Sequence, residues 1–291
     1  MTSQLLAQNV PSDLMEPPPI RVAILDMYRN EPNQGMRGIR TLLYLESLQA
    51  EVPVRWHIFD VRHKNELPDL SYHIYISSGG PGSPLAGDGP WEDPYFHLID
   101  RIWEHNQKSE QKKFVFFICH SFQLICRHWK VGLVSRRKSP AFGVFPVHKT
   151  EEGRSELLFD ELDDPFYATD SREFQVTQPD WPLIRSRGFR VLALEKERPH
   201  VPLERALMAI RFSDEFFGTQ FHPEADPQGM IRYFTKPEKR AAIIRDYGEE
   251  KYYRMIDMLD DPDKIVKTQR TILPTFLRLA FDNVMQTADC A

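Results

Sequence analysis

The sequence predicts an α/β protein with a doubly wound, mostly parallel sheet and a C-terminal helical extension. Three observations support this fold class. Short apolar runs alternate with segments whose apolar residues recur at helical spacing. The run "KFVFFIC" is apolar on both faces, which is typical of a central parallel strand covered by helices. After Pro227 the chain becomes helical and strongly charged.

The first half of the chain alternates predicted strands with predicted helices. The strands are "RVAILDM" (Arg21 to Met27), "VRWHIFDVR", "YHIYISSGG" and "KFVFFIC". The helices are "MRGIRTLLYLESLQA", "PYFHLIDRIWEHNQK" and a third that opens with "SFQLICRHW". Ligands of such sheets bind at the carboxyl ends of the strands. The ends "ISSGG" and "FFIC" therefore indicate the functional edge.

The second half is less regular before it becomes helical. Between residues 134 and 204 we predict short strands and loops, "AFGVFPVHKT" and "FRVLALEK" among them. "RALMAIRF" and "FFGTQFHPEAD" predict a two-stranded hairpin that ends in a loop. "PEKRAAIIRDYGEEKYYRMIDML" and "TILPTFLRLAFDNVM" predict the helical extension.

Three segments follow from this pattern. We predict an N-terminal tail over residues 1–20, an α/β domain over 21–234 and the extension over 235–291. The extension has an apolar face too large to leave in water, so we expect it to pack on the α/β domain. Part of that face either covers the active-site edge or forms a homodimer contact.

Composition excludes several classes of function. The net charge is -5 and no long basic run is present, which argues against nucleic acid as a partner. No apolar run approaches the roughly 20 residues that cross a bilayer. The N-terminus lacks a basic start followed by an apolar stretch, so no secretory signal is predicted. The three cysteines form no disulfide framework and no paired metal motif. We therefore expect a cytoplasmic protein with no metal and no cofactor.

Cys119 lies where the "KFVFFIC" strand breaks into a helix. A nucleophile on such a turn has an exposed side chain, a helix N-terminus that favours a thiolate, and the next N–H, that of His120, as an oxyanion donor. The competing interpretation is a buried structural thiol. The nucleophile hypothesis predicts sparsely populated backbone torsions at Cys119. It also predicts that Phe117 lies against a neighbouring strand, where another small residue makes room.

A thiolate also needs a base, and "GTQFHPEAD" supplies His222 with Glu224 two residues later. A second oxyanion donor is expected from the "SSGGPGSP" loop, where the backbone of Gly79 and Gly80 can approach a substrate closely.

Three blocks together carry a family resemblance. Residues 78–81 read S-G-G-P. In the strand-to-helix turn, Ile118, Cys119 and Gln123 match the family's nucleophile elbow G-I-C-x-G-x-Q apart from its two glycines. Residues 218–224 match G-x-Q-F-H-P-E in full. Over residues 21–234 the chain resembles the class I glutamine amidotransferases, as a GMP-synthase-like amidotransferase domain without a synthetase domain. The resemblance implies a flavodoxin-like fold. It also implies an enzyme that releases ammonia from glutamine, through a γ-glutamyl thioester, for a synthetase partner on a separate chain.

The resemblance also implies the roles of the site residues. The triad is Cys119, His222 and Glu224. The oxyanion donors are the N–H groups of Gly80 and His120. The substrate, glutamine or a γ-glutamyl compound, is contacted by Gly79, Gln123, Gly143, Asp170 and Arg172.

Departures from the family pattern leave two alternatives. Phe117 and Ser121 replace the elbow glycines, and Ala141 stands where an acid is usual. Asp170 and Arg172 stand where many members carry histidines. The altered substrate positions favour a stand-alone γ-glutamyl hydrolase or peptidase. Phe117 favours a binding or regulatory module that has lost turnover, although such a module would not need the intact dyad of the His-Pro-Glu run.

Overall fold

The computed structural model describes residues 18–31, 33–200, 204–261 and 263–288. Its strands form a single sheet within these ranges. They are β1 (Ile20–Asp26), β2 (Val54–Asp60), β3 (Ile74–Ser77), β4 (Phe114–Ile118), β5 (Leu133–Lys149), β6 (Phe166–Thr177), β7 (Arg190–Glu195), β8 (Leu207–Arg211) and β9 (Phe216–Thr219). The helices are α1 (Gly35–Gln49), α2 (Val61–Lys64), α3 (Glu92–Lys108), α4 (His120–His128), α5 (Glu151–Arg154), α6 (Trp181–Ser186), α7 (Pro227–Phe234), α8 (Pro237–Tyr247), α9 (Glu249–Asp260) and α10 (Ile265–Ala288).

The sheet has the order β2-β1-β3-β4-β9-β8-β7-β5-β6. The first five strands in this order are parallel, which confirms the predicted α/β class. The remaining strands continue the sheet in antiparallel pairs, and β8 with β9 forms the predicted hairpin. The 17 residues of β5 and the 12 of β6 make a long ribbon where short strands and loops were predicted.

The parallel strands are covered on both faces, as their apolar runs require. In β4, Phe114, Phe116 and Ile118 belong to a core shared with α1 and α10. Val115 and Phe117 point to the opposite core, shared with α3 and α4. This alternation is the two-residue period of a strand buried on both sides. It places the carboxyl ends of β1, β3 and β4 at one edge.

The C-terminal helices pack on the sheet domain, as predicted. Ile272, Leu273 and Phe276 of α10 are buried in the core with β4, and the Phe276 ring lies edge-on to Phe116 at 5.0 Å. The first segment of the predicted extension forms two helices, α8 and α9, which are separated at Gly248, whose φ of 90° is accessible mainly to glycine. The homodimer contact stays a prediction.

No helix in the described part of the chain is both long and apolar enough to cross a membrane.

Candidate active site

Cys119 occupies the turn between β4 and α4 with φ 46° and ψ -96°. These torsions confirm the predicted strain, because a residue with a Cβ rarely adopts them. Two backbone hydrogen bonds fix the turn. The Cys119 N–H donates to the Thr219 carbonyl at 2.7 Å, and the Gln123 N–H donates to the Cys119 carbonyl at 3.0 Å. The neighbouring strand and the first turn of α4 together hold the thiol at the sheet edge. The prediction of an exposed side chain was wrong: Cys119 is buried, because the residues that line its cavity enclose the thiol.

The elbow forms without its two usual glycines because its neighbours make room. Phe117 is fully buried on the α3 and α4 face and pairs with Gly218 of β9. A Cβ built on Gly218 would lie 3.4 Å from the Phe117 Cβ and only 2.8 Å from the Phe122 ring. Gly218 is therefore the small residue that the sequence analysis predicted. The Ser121 hydroxyl donates to the Ser78 carbonyl at 2.6 Å, so its burial leaves no unpaired group.

His222 and Glu224 form the dyad that the motif predicted. His222 Nδ1 lies 2.8 Å from Glu224 Oε1. Burial by itself would lower the pKa of His222. The negative charges of Glu224 and then Cys119, together with the hydrogen bond to Glu224, outweigh burial and raise that pKa well above its usual range. The cationic form of His222 is therefore favoured.

The carboxylate of Glu224 is held where helix α1 meets the site. Its side chain is 1% exposed, and its Oε2 has no hydrogen-bond partner within the described residues. A Cβ on Gly35, the first residue of α1, would lie 3.0 Å from Glu224 Oε1, and one on Gly38 would lie 2.1 Å from the Glu224 carbonyl oxygen. The two glycines let the positive end of α1 approach the carboxylate, and this end stabilises a buried negative charge.

The predicted oxyanion donors have free N–H groups beside the thiol. His120 is the first residue of α4, so its N–H has no acceptor within the helix. The Gly80 N–H donates to no backbone carbonyl in the described ranges. A Cβ on Gly80 would lie 2.3 Å from the Met27 carbonyl oxygen, so only glycine fits here. Gly80, His120 and Cys119 line the same cavity.

Gly79 sets the position of the imidazole. A Cβ at this residue would lie 2.8 Å from His222 Cε1 and 3.2 Å from the Tyr28 hydroxyl. We expect Gly79→Ala to displace His222 and to lower kcat by roughly 10²-fold, the usual effect of a misplacement near 1 Å. The unfolding midpoint should change little, since the displaced ring lies at a cavity wall. Leu85→Ala, an exposed change in the same loop, is the control; equal activity of both variants would contradict the close approach.

Two cavities meet at the triad. The Cys119 cavity has a volume of about 260 Å³ and is lined by Cys119, His120, Gln123, Arg172 and the Gly80–Gly82 backbone, among others. The His222 cavity has a volume of about 350 Å³ and is lined by His222, Glu224, Gly143 and side chains of α7 and α9. Gly80, Pro81 and Ser171 line both. Of the predicted substrate contacts, Gln123 and Arg172 line the first cavity, Gly143 and Asp170 line the second, and Gly79 is in neither lining.

Gln123 is buried rather than facing solvent on α4. Its Nε2 donates to the Phe174 carbonyl and to Gln220 Oε1, both at 3.1 Å. The Gln220 Nε2 lies 3.8 Å from Cys119 Sγ. Gln220 was recognised only as part of the motif. The structure places it between the thiol and Gln123, so it is a site residue that the sequence analysis did not select.

Tyr28 is a second site residue that the sequence analysis missed. Its hydroxyl lies between Gly35 and Gly79, beside the dyad. Burial, then the charges of Glu224, Cys119 and Asp26, raise the pKa of Tyr28 well above its usual range, so the hydroxyl stays protonated. The available signal was its place just after β1, at the edge where ligands bind.

Asp170 and Arg172 form a buried ion pair. Arg172 Nε donates to both Asp170 oxygens at 3.0 and 2.8 Å, and the two side chains are 1% and 3% exposed. Arg172 Nη2 lies 3.5 Å from Glu195 Oε1, which also accepts from Arg137 at 2.8 Å. The ionic groups of the pair thus bind each other and the strand β7, and they form the wall between the cavities.

The other histidine and cysteine candidates have structural surroundings. His120 is buried, and burial together with the charges of Arg62, Arg127 and Arg29 lowers its pKa well below the usual range. The neutral form of the His120 imidazole is therefore favoured. Cys126 is fully buried, and burial raises the pKa of its thiol well above normal. Cys290 lies outside the described residues.

The described His, Cys, Asp and Glu side chains form no cluster of three or more that could hold a metal ion.

An α/β sheet that brings a thiol, an imidazole and a carboxylate to its carboxyl edge has the arrangement of a cysteine hydrolase. The family model described as glutamine amidotransferase class-I matches residues 40–236, 197 of the 291 residues. The chain therefore belongs to the class-I glutamine amidotransferase family, a family of glutamine-hydrolysing enzymes, and the resemblance noted above is confirmed.

Solved structures share the fold at low sequence identity. A glutamine amidotransferase from Thermotoga maritima is 16% identical with a TM-score of 0.62, over 90% of this chain and 97% of that one. One from Methylobacillus flagellatus is 13% identical with a TM-score of 0.58, over 92% and 94%. The glutaminase domain of Trypanosoma brucei CTPS, solved with acivicin bound, is 14% identical with a TM-score of 0.54, over 90% and 94%. A search of curated protein sequences found no match.

Proposed function

We propose that this chain is a glutamine amidohydrolase that works through a Cys119–His222–Glu224 triad and a γ-glutamyl thioester. One observation carries the proposal. The strained Cys119 turn and the His222–Glu224 dyad converge from separate elements, and the negative charges beside His222 raise its pKa. A structural thiol would need neither strained backbone torsions nor a cationic imidazole nearby. The presence of both favours Cys119 and His222 as a catalytic pair.

The first half-reaction follows from this geometry. Cys119 Sγ attacks the γ-carbonyl carbon, and the N–H groups of Gly80 and His120 receive the developing oxyanion. The C–N bond breaks as His222 gives its proton to the leaving nitrogen, which departs as ammonia or an amine. Glu224 keeps the imidazole oriented and stabilises its cation.

Water completes the cycle. It transfers a proton to His222 as its oxygen adds to the thioester carbon, the C–S bond breaks, and glutamate and the thiolate are released. In an amidotransferase the ammonia passes to a separate acceptor enzyme. The γ-glutamyl part of the substrate occupies the Cys119 cavity, which Gln123 and Arg172 help to line. Gln220 holds the Gln123 amide from behind, and Asp170 holds Arg172.

A stand-alone γ-glutamyl hydrolase is the second candidate. The observation that favours it is the His222 cavity, which at about 350 Å³ gives the leaving group far more space than ammonia fills. Both candidates share the triad and the thioester. They differ in the leaving group and in the need for an acceptor.

Selective alkylation tests the nucleophile common to both. An electrophilic glutamine analogue should modify Cys119 at least roughly 10²-fold faster than Cys126, which is fully buried and whose pKa is raised by burial. Mass spectrometry of the digested protein gives the rate at each cysteine. His222→Ala should slow the modification of Cys119 sharply, and Glu224→Gln should slow it less.

Protection by ligands separates the candidates. Excess glutamine should protect Cys119 if glutamine is the substrate, whereas protection by γ-glutamyl amides alone would favour the hydrolase. Equal modification of both cysteines, indifferent to His222, would defeat the proposal and leave the regulatory module as the better explanation.

A further inference from the structure

The two cavities place the two halves of an amide substrate on opposite sides of the triad. The Cys119 cavity contains the nucleophile, and the His222 cavity contains the imidazole that protonates the leaving nitrogen. A general acid must lie within hydrogen-bond reach of the atom that it protonates. The leaving group must therefore extend from the shared wall of Gly80, Pro81 and Ser171 into the His222 cavity.

The His222 cavity is much larger than ammonia requires. Its volume is about 350 Å³, whereas a molecule the size of water occupies roughly 30 Å³ in the liquid. Much of its lining is apolar, from β5, α7 and α9. These residues are Phe142, Val144, Met230, Tyr233, Phe234, Met255 and Leu259. A lining of this kind selects an apolar ligand with a few polar atoms at one end.

The charged residues that line the His222 cavity indicate which leaving groups it can accept. Apart from His222, the charged side chains in its described lining are Glu31, Asp170 and Glu224, all of them acidic. Asp170 is already paired with Arg172, and Glu224 with His222. No lysine or arginine of the described lining could pair with a carboxylate on the leaving group. An amino acid as leaving group would place its carboxylate among these acids, which is unfavourable.

We propose that the preferred substrate is a γ-glutamyl amide of an uncharged apolar or aromatic amine, with the amine seated in the His222 cavity. This inference rests on the proposed triad chemistry. Attack by Cys119 Sγ forms the C–S bond, the C–N bond breaks, and the proton of His222 moves to the departing nitrogen. The free amine then leaves through the His222 cavity, and water hydrolyses the thioester to glutamate. Glutamine fills the Cys119 cavity but leaves the second cavity unoccupied.

A matched set of substrates tests the leaving-group site. The phenethylamide of γ-glutamate and γ-glutamylphenylalanine differ only by a carboxylate on the leaving group. We expect kcat/KM for the phenethylamide to exceed that for glutamine by roughly tenfold or more, the scale of selectivity of an apolar subsite. We expect the added carboxylate of γ-glutamylphenylalanine to lower kcat/KM by a similar factor.

A matched pair of variants tests where the amine binds. Met230 and Met258 are both half-buried against the same C-terminal cluster, but only Met230 lines the cavity. Met230→Trp should fill the cavity and lower the ratio of kcat/KM for the phenethylamide to kcat/KM for glutamine roughly tenfold or more. Met258→Trp should leave the ratio of the two substrates unchanged, which controls for the stability of the helices.

The outcomes separate this inference from the proposed function. Turnover of glutamine with no advantage for the phenethylamide, or an equal loss of both substrates in Met230→Trp, would overturn the leaving-group site and leave the triad intact. Absence of turnover for every amide, together with absence of selective Cys119 alkylation, would defeat the proposed function, and the inference with it. Preference for γ-glutamylphenylalanine would show that the acidic lining does not select the amine.

Discussion

His222→Ala should lower kcat for glutamine by roughly 10⁴-fold or more, with little change in the unfolding midpoint. In the proposed mechanism the His222 imidazole carries the proton in both half-reactions, and the neighbouring His120 is poorly suited to replace it. His120 is buried, and its pKa is lowered well below the usual range. Steady-state kinetics with glutamine and with a γ-glutamyl amide provide the measurement. A kcat of the variant within tenfold of the wild-type value would exclude His222 as the base.

Glu224→Gln is the companion variant, and its effect should appear in the pH profile. The Glu224 carboxylate raises the pKa of His222, so His222 keeps its proton to higher pH. In the proposed mechanism this proton is given to the leaving nitrogen. Activity is therefore lost as pH rises through the pKa of His222 in the folded enzyme. Without the carboxylate charge this pKa falls, so the alkaline limb of kcat/KM should move to lower pH. An unmoved limb would mean that Glu224 only orients the ring.

The fold was largely predictable because its strands are buried on both faces. The apolar runs of β1, β3 and β4 permit no other placement than the centre of a covered sheet. The strand-to-helix turn at Cys119 followed from the same run and from the residues after it. The motif around His222 predicted the dyad. The turn at Cys119 predicted strained torsions there and a small residue beside Phe117, and the structure shows both, with Gly218 as the small residue.

The parts that could not be predicted depend on contacts between distant segments. Gln123 is buried because Gln220, just after β9, and the Phe174 carbonyl of β6 accept its amide hydrogens. The β5–β6 ribbon carries an irregular register between Arg136 and Ala141, which obscures its period of two. The His222 cavity exists only because α7 and α9 fold back beside the dyad. None of these features leaves a local pattern in the sequence.

The ion pair of Asp170 and Arg172 was also not predicted from the sequence. Their position suggested substrate contacts, which stay a prediction, and the structure adds that Arg172 Nε donates to both Asp170 carboxylate oxygens within the β6 strand. The guanidinium also reaches Glu195, which binds Arg137 and Arg198 as well. Burial alone would raise the pKa of Glu195, but the charge of Arg172 and then Arg137 outweigh it and lower that pKa. The network therefore depends on Arg172 at its centre.

Arg172→Met should destabilise the folded chain by roughly 3–5 kcal/mol, because it leaves the Asp170 carboxylate buried and unpaired. Urea unfolding near neutral pH measures the loss. Asp170→Asn combined with Arg172→Met should recover much of it, since no unpaired charge remains. Arg136→Ala, which breaks an exposed pair with Glu173 on the same ribbon, is the control and should cost less than about 1 kcal/mol.

Acid titration and substrate affinity separate the structural role of Arg172 from a contact with the substrate. Because the pKa of Glu195 is lowered in the folded state, its contribution to stability is present above its unfolded pKa, near 4.5, and is lost as pH falls through the folded value. Arg172→Met removes the strongest cause of that lowering, so less stability should be lost in this acidic range. A structural Arg172 moves the unfolding midpoint, while KM for glutamine of the remaining folded enzyme changes little. A direct contact would instead raise KM with the midpoint unchanged, and that result would confirm the predicted substrate contact of Arg172.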